Sequence, residues 1–337
     1  MKTVVVTGCA GLLGSHFSRY LIRQGFRVVG IDDLSGGYPE YLPQANIKQF
    51  EFWPIDLSDV DAKGCLNNIF TMEKDVVACY HFAAYAAEGL SPFIRHFNYS
   101  NNVLSSANVI NACIQNNVKM IFTSSMAVYG AQKPPFVETM APQPIDPYGV
   151  AKYAVEMDMK IAGDQHGLRY SIVRPHNIIG IYQNIWDRYR NVVGIFIRRA
   201  LEGEPLLIYG DGEQTRQFSD VQYYMKPFEQ LIDNHDGETF NLGAEEDWTL
   251  NELAETVRRV AIWNGCNPVQ VKHVEARHEA KHTQCDHSKA KMCLGFKDTT
   301  YLIKTVDEMF QWAKKQPKRE QVTMEYEITE GMYDCWK

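Results

Sequence analysis

This chain has no Cys-x-x-Cys pair, no long basic run, no internal repeat or low-complexity tract, and no apolar run approaching the ~18–20 residues that span a bilayer. Each absence removes a class of function. The eight cysteines stand singly at 9, 65, 79, 113, 266, 285, 293 and 335, so they read as reduced, mostly buried thiols of a cytoplasmic protein, and no metal site is expected. A net charge of −7 without a basic stretch argues against nucleic acid or an acidic membrane surface as partner, and an anionic ligand then needs local arginines. No targeting segment precedes the first strand, which starts directly after Met1-Lys2. What is present is ample core material: 337 residues, 45% hydrophobic and 22% charged, enough for one large domain or two intimate ones.

Thr3-Val4-Val5-Val6-Thr7 is a β-branched run of the kind covered on both faces of a parallel sheet. It enters Gly8-Cys9-Ala10-Gly11-Leu12-Leu13-Gly14, and a helix is expected over about 11–24. Strand, glycine turn and helix aim backbone N–H groups and a positive helix end at a pyrophosphate. The first glycine gap is one residue longer than in the common dinucleotide fingerprint, and a plain glycine turn is the alternative. The second strand, near 26–31, favours NAD: it ends in Asp32-Asp33, and an acid about 20 residues past the loop holds a ribose diol while repelling a 2′-phosphate.

A third strand near 47–52 leads to Asp56-Leu57, where the acid either meets an adenine edge or caps a helix before Val60. A fourth strand over 76–82 opens into Ala83 and Ala84, small enough for a cofactor to lie close. The helix beyond it carries Asn101, Asn102, Asn108 and Asn111, read mostly as solvated residues. A fifth strand ends at Ser124-Ser125. Ligands of an open parallel sheet bind outside the carboxyl ends of its strands, so Gly8, Asp32, Ala83 and Ser125 should converge on one crevice. Into it the segment Pro147-Tyr148-Gly149-Val150-Ala151-Lys152 brings a phenol and an ammonium four residues apart on one helix face. A lysine beside a tyrosine favours the phenolate, turning an acid that titrates near pH ~10 into a base, although a snorkelling surface lysine has the same spacing.

These motifs, with His81-Phe82-Ala83-Ala84, Asn101-Asn102-Val103 and Ser124-Ser125-Met126-Ala127-Val128-Tyr129-Gly130, resemble the extended short-chain dehydrogenase/reductase enzymes, specifically the sugar-nucleotide epimerases typified by UDP-glucose 4-epimerase. The resemblance implies a doubly wound parallel sheet (Rossmann) with a smaller mixed α/β C-terminal substrate domain. The NAD domain would span 1–177, with a return around 216–240, and the nucleotide-sugar domain mainly 178–337. It implies Tyr148 as catalytic base, Ser125 as partner of the sugar hydroxyl, and Lys152 as a cofactor-ribose ligand that lowers the tyrosine pKa. Leu12, Leu13, Leu57, Asn101 and Pro175 join the cofactor set. Asn177 would meet the diphosphate, Asn191-Val192 the phosphate or uracil, and Tyr209 the base, a core aromatic being the alternative. Arg216 and Arg277 would grip the diphosphate, as planar guanidinium groups do, and Glu279 would accept from a ribose hydroxyl. His176 reads as a packing or hydrogen-bonded residue.

Dehydratases similar to this fold carry Asp-Glu after the hydroxyl residue, and related decarboxylases a glutamate at the place of Ala127; Met126 and Ala127 cannot transfer a proton. What remains is chemistry needing only a base and a hydride acceptor, a minimum that C4 epimerisation of a UDP-hexose with NAD retained fits; the resemblance further implies a homodimer formed through helices near 101–115 and 148–166. The nearest alternative is UDP-glucuronate. Relatives specialised for that acid place an arginine where Asn184 falls, although Arg188 and Arg190 lie close by. C2 epimerisation, net reduction at C4, and a non-catalytic NAD-binding regulator stay open. One departure is Asp220-Val221-Gln222 where the family has Val-Asp-Asp, and the tail over 324–337, with Tyr326, Tyr333 and Trp336, extends past the last expected helix.

Overall fold

The computed structural model describes residues 1–336, so Lys337 of the tail lies outside the described residues. In chain order the first half holds β1 (Thr3–Thr7), α1 (Leu12–Arg23), β2 (Arg27–Asp32), β3 (Phe50–Pro54), α2 (Ala62–Met72), β4 (Val76–His81), α3 (Arg95–Tyr99), α4 (Ser105–Gln115), β5 (Lys119–Thr123), α5 (Pro147–His166) and β6 (Tyr170–Pro175). The second half adds β7 (Ile178–Ile179), α6 (Val192–Leu201), β8 (Leu206–Tyr209), β9 (Thr215–Gln217), β10 (Ser219–Asp220), α7 (Met225–Gln230), β11 (Glu238–Leu242), β12 (Asp247–Thr249), α8 (Leu250–Trp263), β13 (Val271–Val274), α9 (Ser288–Leu294) and α10 (Leu302–Ala313). Seven strands form one sheet in the order β11-β6-β5-β4-β1-β2-β3, every pair parallel. The order reverses between β1 and β4. The crevice expected at a switch point therefore opens beyond their carboxyl ends.

Both faces of the sheet are covered, which is why β1 and β5 are apolar without alternation. Val4, Val6, Phe17, Tyr80 and Phe228 pack on one face, and Val5, Ile31, Val109, Phe122 and Met159 on the other. A separate core joins α6, α8 and α10, where Leu302, Val306, Met309 and Phe310 recur at helical spacing. β8 and β13 pair parallel beside it. The chain returns to the main sheet through α7 and β11, which pairs with β6.

Three expectations shift. The third strand starts at Phe50 because Asn46 turns the chain, accepting from Lys48 N. Asn102 is buried rather than solvated: it bonds Tyr85 N, Tyr85 O and Asn98, tying the loop after β4 to a single π turn over 100–104 between α3 and α4. Asn108 is also engaged, with Leu57 O, whereas Asn111 is exposed. At the departure after Ser219, Asp220 caps a turn and accepts from Thr305, while Gln222 bonds His16, so the junction is coupled through other groups.

The helix α5 is held by a buried polar network. Asp146 caps it, accepting from Gly149 N at 2.8 Å. Two turns beyond Tyr148, the Glu156 carboxylate receives a forked pair from Arg174 at 2.9 and 2.6 Å and a bond from Ser124 Oγ at 2.5 Å. Arg174 also donates to Tyr129 Oη at 2.8 Å, which donates in turn to Asn241 Oδ1. Glu156 is 0% and Arg174 2% exposed, so removing one partner strands the other charge away from water. Glu156→Gln and Arg174→Met are each expected to cost about 3–5 kcal/mol, with much of it recovered when both sites are made apolar. The measurement is urea unfolding; single-variant losses below about 1 kcal/mol would contradict this role.

Candidate active site

A cavity of about 950 Å³ lies along the carboxyl edge of the sheet and into the second half of the chain. At one end is the glycine turn. Gly8 has φ +68°, and a Cβ there would lie 2.7 Å from Ala83 N; a Cβ at Gly14 would lie 2.1 Å from Gly8 O. Only glycine allows that approach of turn, helix and β4 loop. Gly11 stands at the start of α1, which has no acid in its first turn, and Leu12 and Leu13 line the wall. Asp32 closes the turn, accepting from Ala10 N (2.9 Å) and Leu34 N (2.8 Å), while Asp33 accepts from Ser35. His81 bridges Thr7 Oγ1 (2.8 Å) and Ser106 Oγ (2.9 Å), and burial pulls its pKa to about 3, so it acts as a neutral strut.

Asp56, Leu57, Ala83, Ala84, Asn101 and Pro175 all line this end. Asp56 neither caps α2 nor is buried; it accepts from Ser58 in its own turn, with its side chain open to the cavity. At the same wall the Thr123 hydroxyl is buried without a partner in the protein. Open helix amides, the glycine cradle, the acid at the end of β2 and this unsatisfied hydroxyl together fit a dinucleotide such as NAD.

Tyr148 and Ser125 meet in the middle of the cavity. Tyr148 N donates to Ser91 Oγ at 3.1 Å, fixing the start of α5 against the loop after β4. Burial pushes the phenol pKa well up, a hydrogen bond with Ser125 pulls it down, and Glu88 and Asp146 raise it further. Lys152 Nζ donates to Thr123 O at 2.9 Å and lies 5.8 Å from the Tyr148 ring centroid. Burial pulls the lysine itself to about 7, with Glu156 opposing. Tyrosine–lysine spacing was visible in the sequence; the desolvation that dominates both groups was not.

Sequence reasoning missed Glu88. Its side chain opens into the cavity from the Ala83–Gly89 stretch, and its backbone carbonyl accepts from Ser91 N and Oγ. Enclosure by the cavity walls and Asp146 push it up to about 7 although its side chain stays exposed to the cavity, and burial pushes Asp146 to about 6. A lone acid among small apolar residues was the available signal.

The far end holds the remaining expected residues. Asn177 Nδ2 donates to Gln217 O, and Asn191 caps α6 with its Oδ1, which accepts from Val193 N, while its Nδ2 donates to Ile178 O on β7; Val192 lines the cavity. Arg216 pairs with Glu279 at 2.8 Å, and Glu279 also accepts from Gln214. Arg277 lies with its guanidinium carbon 3.2 Å from the Tyr209 ring centroid, so one face of that ring is covered by arginine. His176 is buried with neither ring nitrogen bonded, 5.2 Å from His287. It packs, as expected, but outside any hydrogen bond. Among the described residues no group of three or more His, Cys, Asp or Glu could hold a metal ion.

Residues 4–243 match the model of the NAD dependent epimerase/dehydratase family. A UDP-glucose 4-epimerase of Lactobacillus helveticus is 28% identical, over 94% of this chain and 98% of its own. Among solved structures, UDP-glucose 4-epimerase from Thermotoga maritima, with UDP-glucose, aligns with a TM-score of 0.83 and 28% identity, covering 93% of this chain and 99% of that one. UDP-N-acetylglucosamine 4-epimerase from Methanobrevibacter ruminantium, in complex with UDP-N-acetylmuramic acid, has the same TM-score at 32% identity, covering 93% and 98%.

Proposed function

This chain belongs to the NAD-dependent epimerase/dehydratase family and is an NAD-dependent nucleotide-sugar epimerase; from that premise we propose that it inverts C4 of a neutral UDP-hexose, interconverting UDP-glucose and UDP-galactose through a 4-keto sugar. The observation that carries this reading is the Ser125–Tyr148 contact at the middle of a cavity whose one end is the glycine cradle and whose other end holds Arg216 and Arg277. Bound NAD supplies the oxidising and reducing capacity at C4. Tyr148 takes the 4-hydroxyl proton and returns it, and Ser125 orients that hydroxyl. The arginines hold the diphosphate, about which the sugar turns.

A neutral sugar is favoured over a uronate by the surrounding charges. Asn184 is spent on Gly36 O, Trp186 N and Asp187 N. Arg190 pairs with Asp187 at 2.8 Å over the Tyr85 ring, and Arg188 donates to Cys335 O. Asn184 and Arg190 are thus committed within the protein, and Glu88 opposes a sugar carboxylate. We also propose a homodimer, because α5 presents Val150, Met157 and Ile161 on one exposed stripe beside Leu104.

Incubation with UDP-glucose without added NAD should yield UDP-galactose, and Tyr148→Phe should lower the rate by at least about 10²-fold. An equally active Tyr148→Phe enzyme would sink the assignment. UDP-glucuronate should be used at least about tenfold less efficiently than UDP-glucose at pH 8, where Glu88 is charged. Protonation removes that charge as the pH falls through about 7, so the ratio should narrow at pH 6, and at pH 8 in Glu88→Gln. A ratio independent of pH and of Glu88 would count against this selection. Light scattering should give twice the monomer mass, falling to the monomer in Met157→Glu; a monomeric parent protein would refute the dimer.

A further inference from the structure

The segment after α10 folds back across the substrate half of the cavity. Val322 N donates to Trp186 O (3.1 Å), and the Glu327 carboxylate accepts the amides of His96 (2.7 Å) and Phe97 (2.9 Å). Tyr326 Oη meets Tyr189 Oη at 2.7 Å. Trp336, 4% exposed, packs edge-on against Phe93 and Tyr189, with centroids 6.0 and 5.4 Å away. The tail is therefore a fixed wall.

The end of this tail reaches Arg277. Its guanidinium carbon lies 3.2 Å from the centroid of Tyr209, 4.8 Å from that of Trp336 and 5.8 Å from that of Tyr333. Tyr209 Oη is 2.9 Å from Cys335 Sγ, and Tyr333 Oη accepts from His278 N at 3.2 Å. The loop after β4 closes the same corner: a Cβ on Gly89 would lie 3.4 Å from Arg277 Nη1 and 3.7 Å from Trp336 Cη2. Whereas Arg216 is paired with Glu279, no carboxylate pairs with Arg277 among the described residues, and its Nε is buried without a partner. A guanidinium packed among rings keeps N–H donors for an anion, and its side-chain ordering is complete before that anion arrives.

We infer that Tyr333 and Trp336 are positioning residues that clamp Arg277 against Tyr209 as a preformed receptor for the substrate's diphosphate. The C-terminal tail is thereby part of the nucleotide site. This rests on the nucleotide-sugar reading above. It requires no contact between the tail and the sugar, so its signature lies in binding of the nucleotide.

The test is calorimetric titration of UDP into the full-length, NAD-loaded protein, with steady-state kinetics on the UDP-hexose it converts. Trp336→Ala should weaken UDP binding and raise KM at least about fivefold, with the loss on KM rather than kcat and with bound NAD at the parent level. Trp336→Phe, which keeps a ring, should recover most of the affinity. Should Trp336→Ala fold poorly, Tyr333→Ala, at a half-buried position, should show the same direction of change in both UDP affinity and KM. Unchanged UDP affinity and KM in the folded alanine variants would overturn the inference. A parent protein that binds UDP but converts no UDP-sugar would remove the functional reading instead, and the UDP titrations would still decide this one.

Discussion

The ion pair between Glu156 and Arg174 is the constraint on which the site depends. Tyr148, Lys152 and Glu156 stand four residues apart on one face of α5, so fixing the last fixes the rotation of the first two. Glu156 is bonded to Arg174 on β6 and to Ser124 beyond β5, the two strands whose ends form the floor under the phenol. A fully buried pair of this kind adds little net stability compared with an apolar core. Its geometric effect is larger: a helix rotated or slid by one residue would leave both charges unmatched.

Enclosure sets the chemistry of the cavity. It pushes Tyr148, Glu88 and Asp146 up and Lys152 down, each toward its neutral form. In so desolvated a place a charge carried in by a ligand acts on its neighbours more strongly than it would in water. The neutral strut His81 ties β1 to α4 through the hydroxyls of Thr7 and Ser106, and Asp146 caps the backbone of α5, neither adding a fixed positive charge beside the phenol. At the opposite end the balance differs: Arg216 is already compensated by Glu279, whereas Arg277 is held by rings.

How much was legible in the sequence follows from the range of each interaction. The glycine turn, the acid ending β2 and the Tyr148–Lys152 spacing are local patterns, and each sits where its spacing implied. Seven parallel strands with a reversal at β1 and β4 follow from alternating apolar runs and helices. Asn102 was misread because its partners, on the loop around Tyr85, are 17 residues away in the chain. Glu88 gave only its own identity, since its meaning depends on Asp146 and Tyr148 arriving from another element. The tail aromatics were equally silent: Trp336 acquires a role only when the fold brings Phe93, Tyr189 and Arg277 to it.

The central claim is that oxidation and reduction at C4 occur within one bound sugar, with Tyr148 moving only the hydroxyl proton. The direct measurement uses UDP-glucose carrying deuterium at C4, converted in ordinary water and analysed by mass spectrometry and NMR. Complete retention of deuterium at C4 of the product, with no solvent hydrogen on carbon, is expected. Loss of the label, or solvent hydrogen at C3 or C5, would contradict the mechanism.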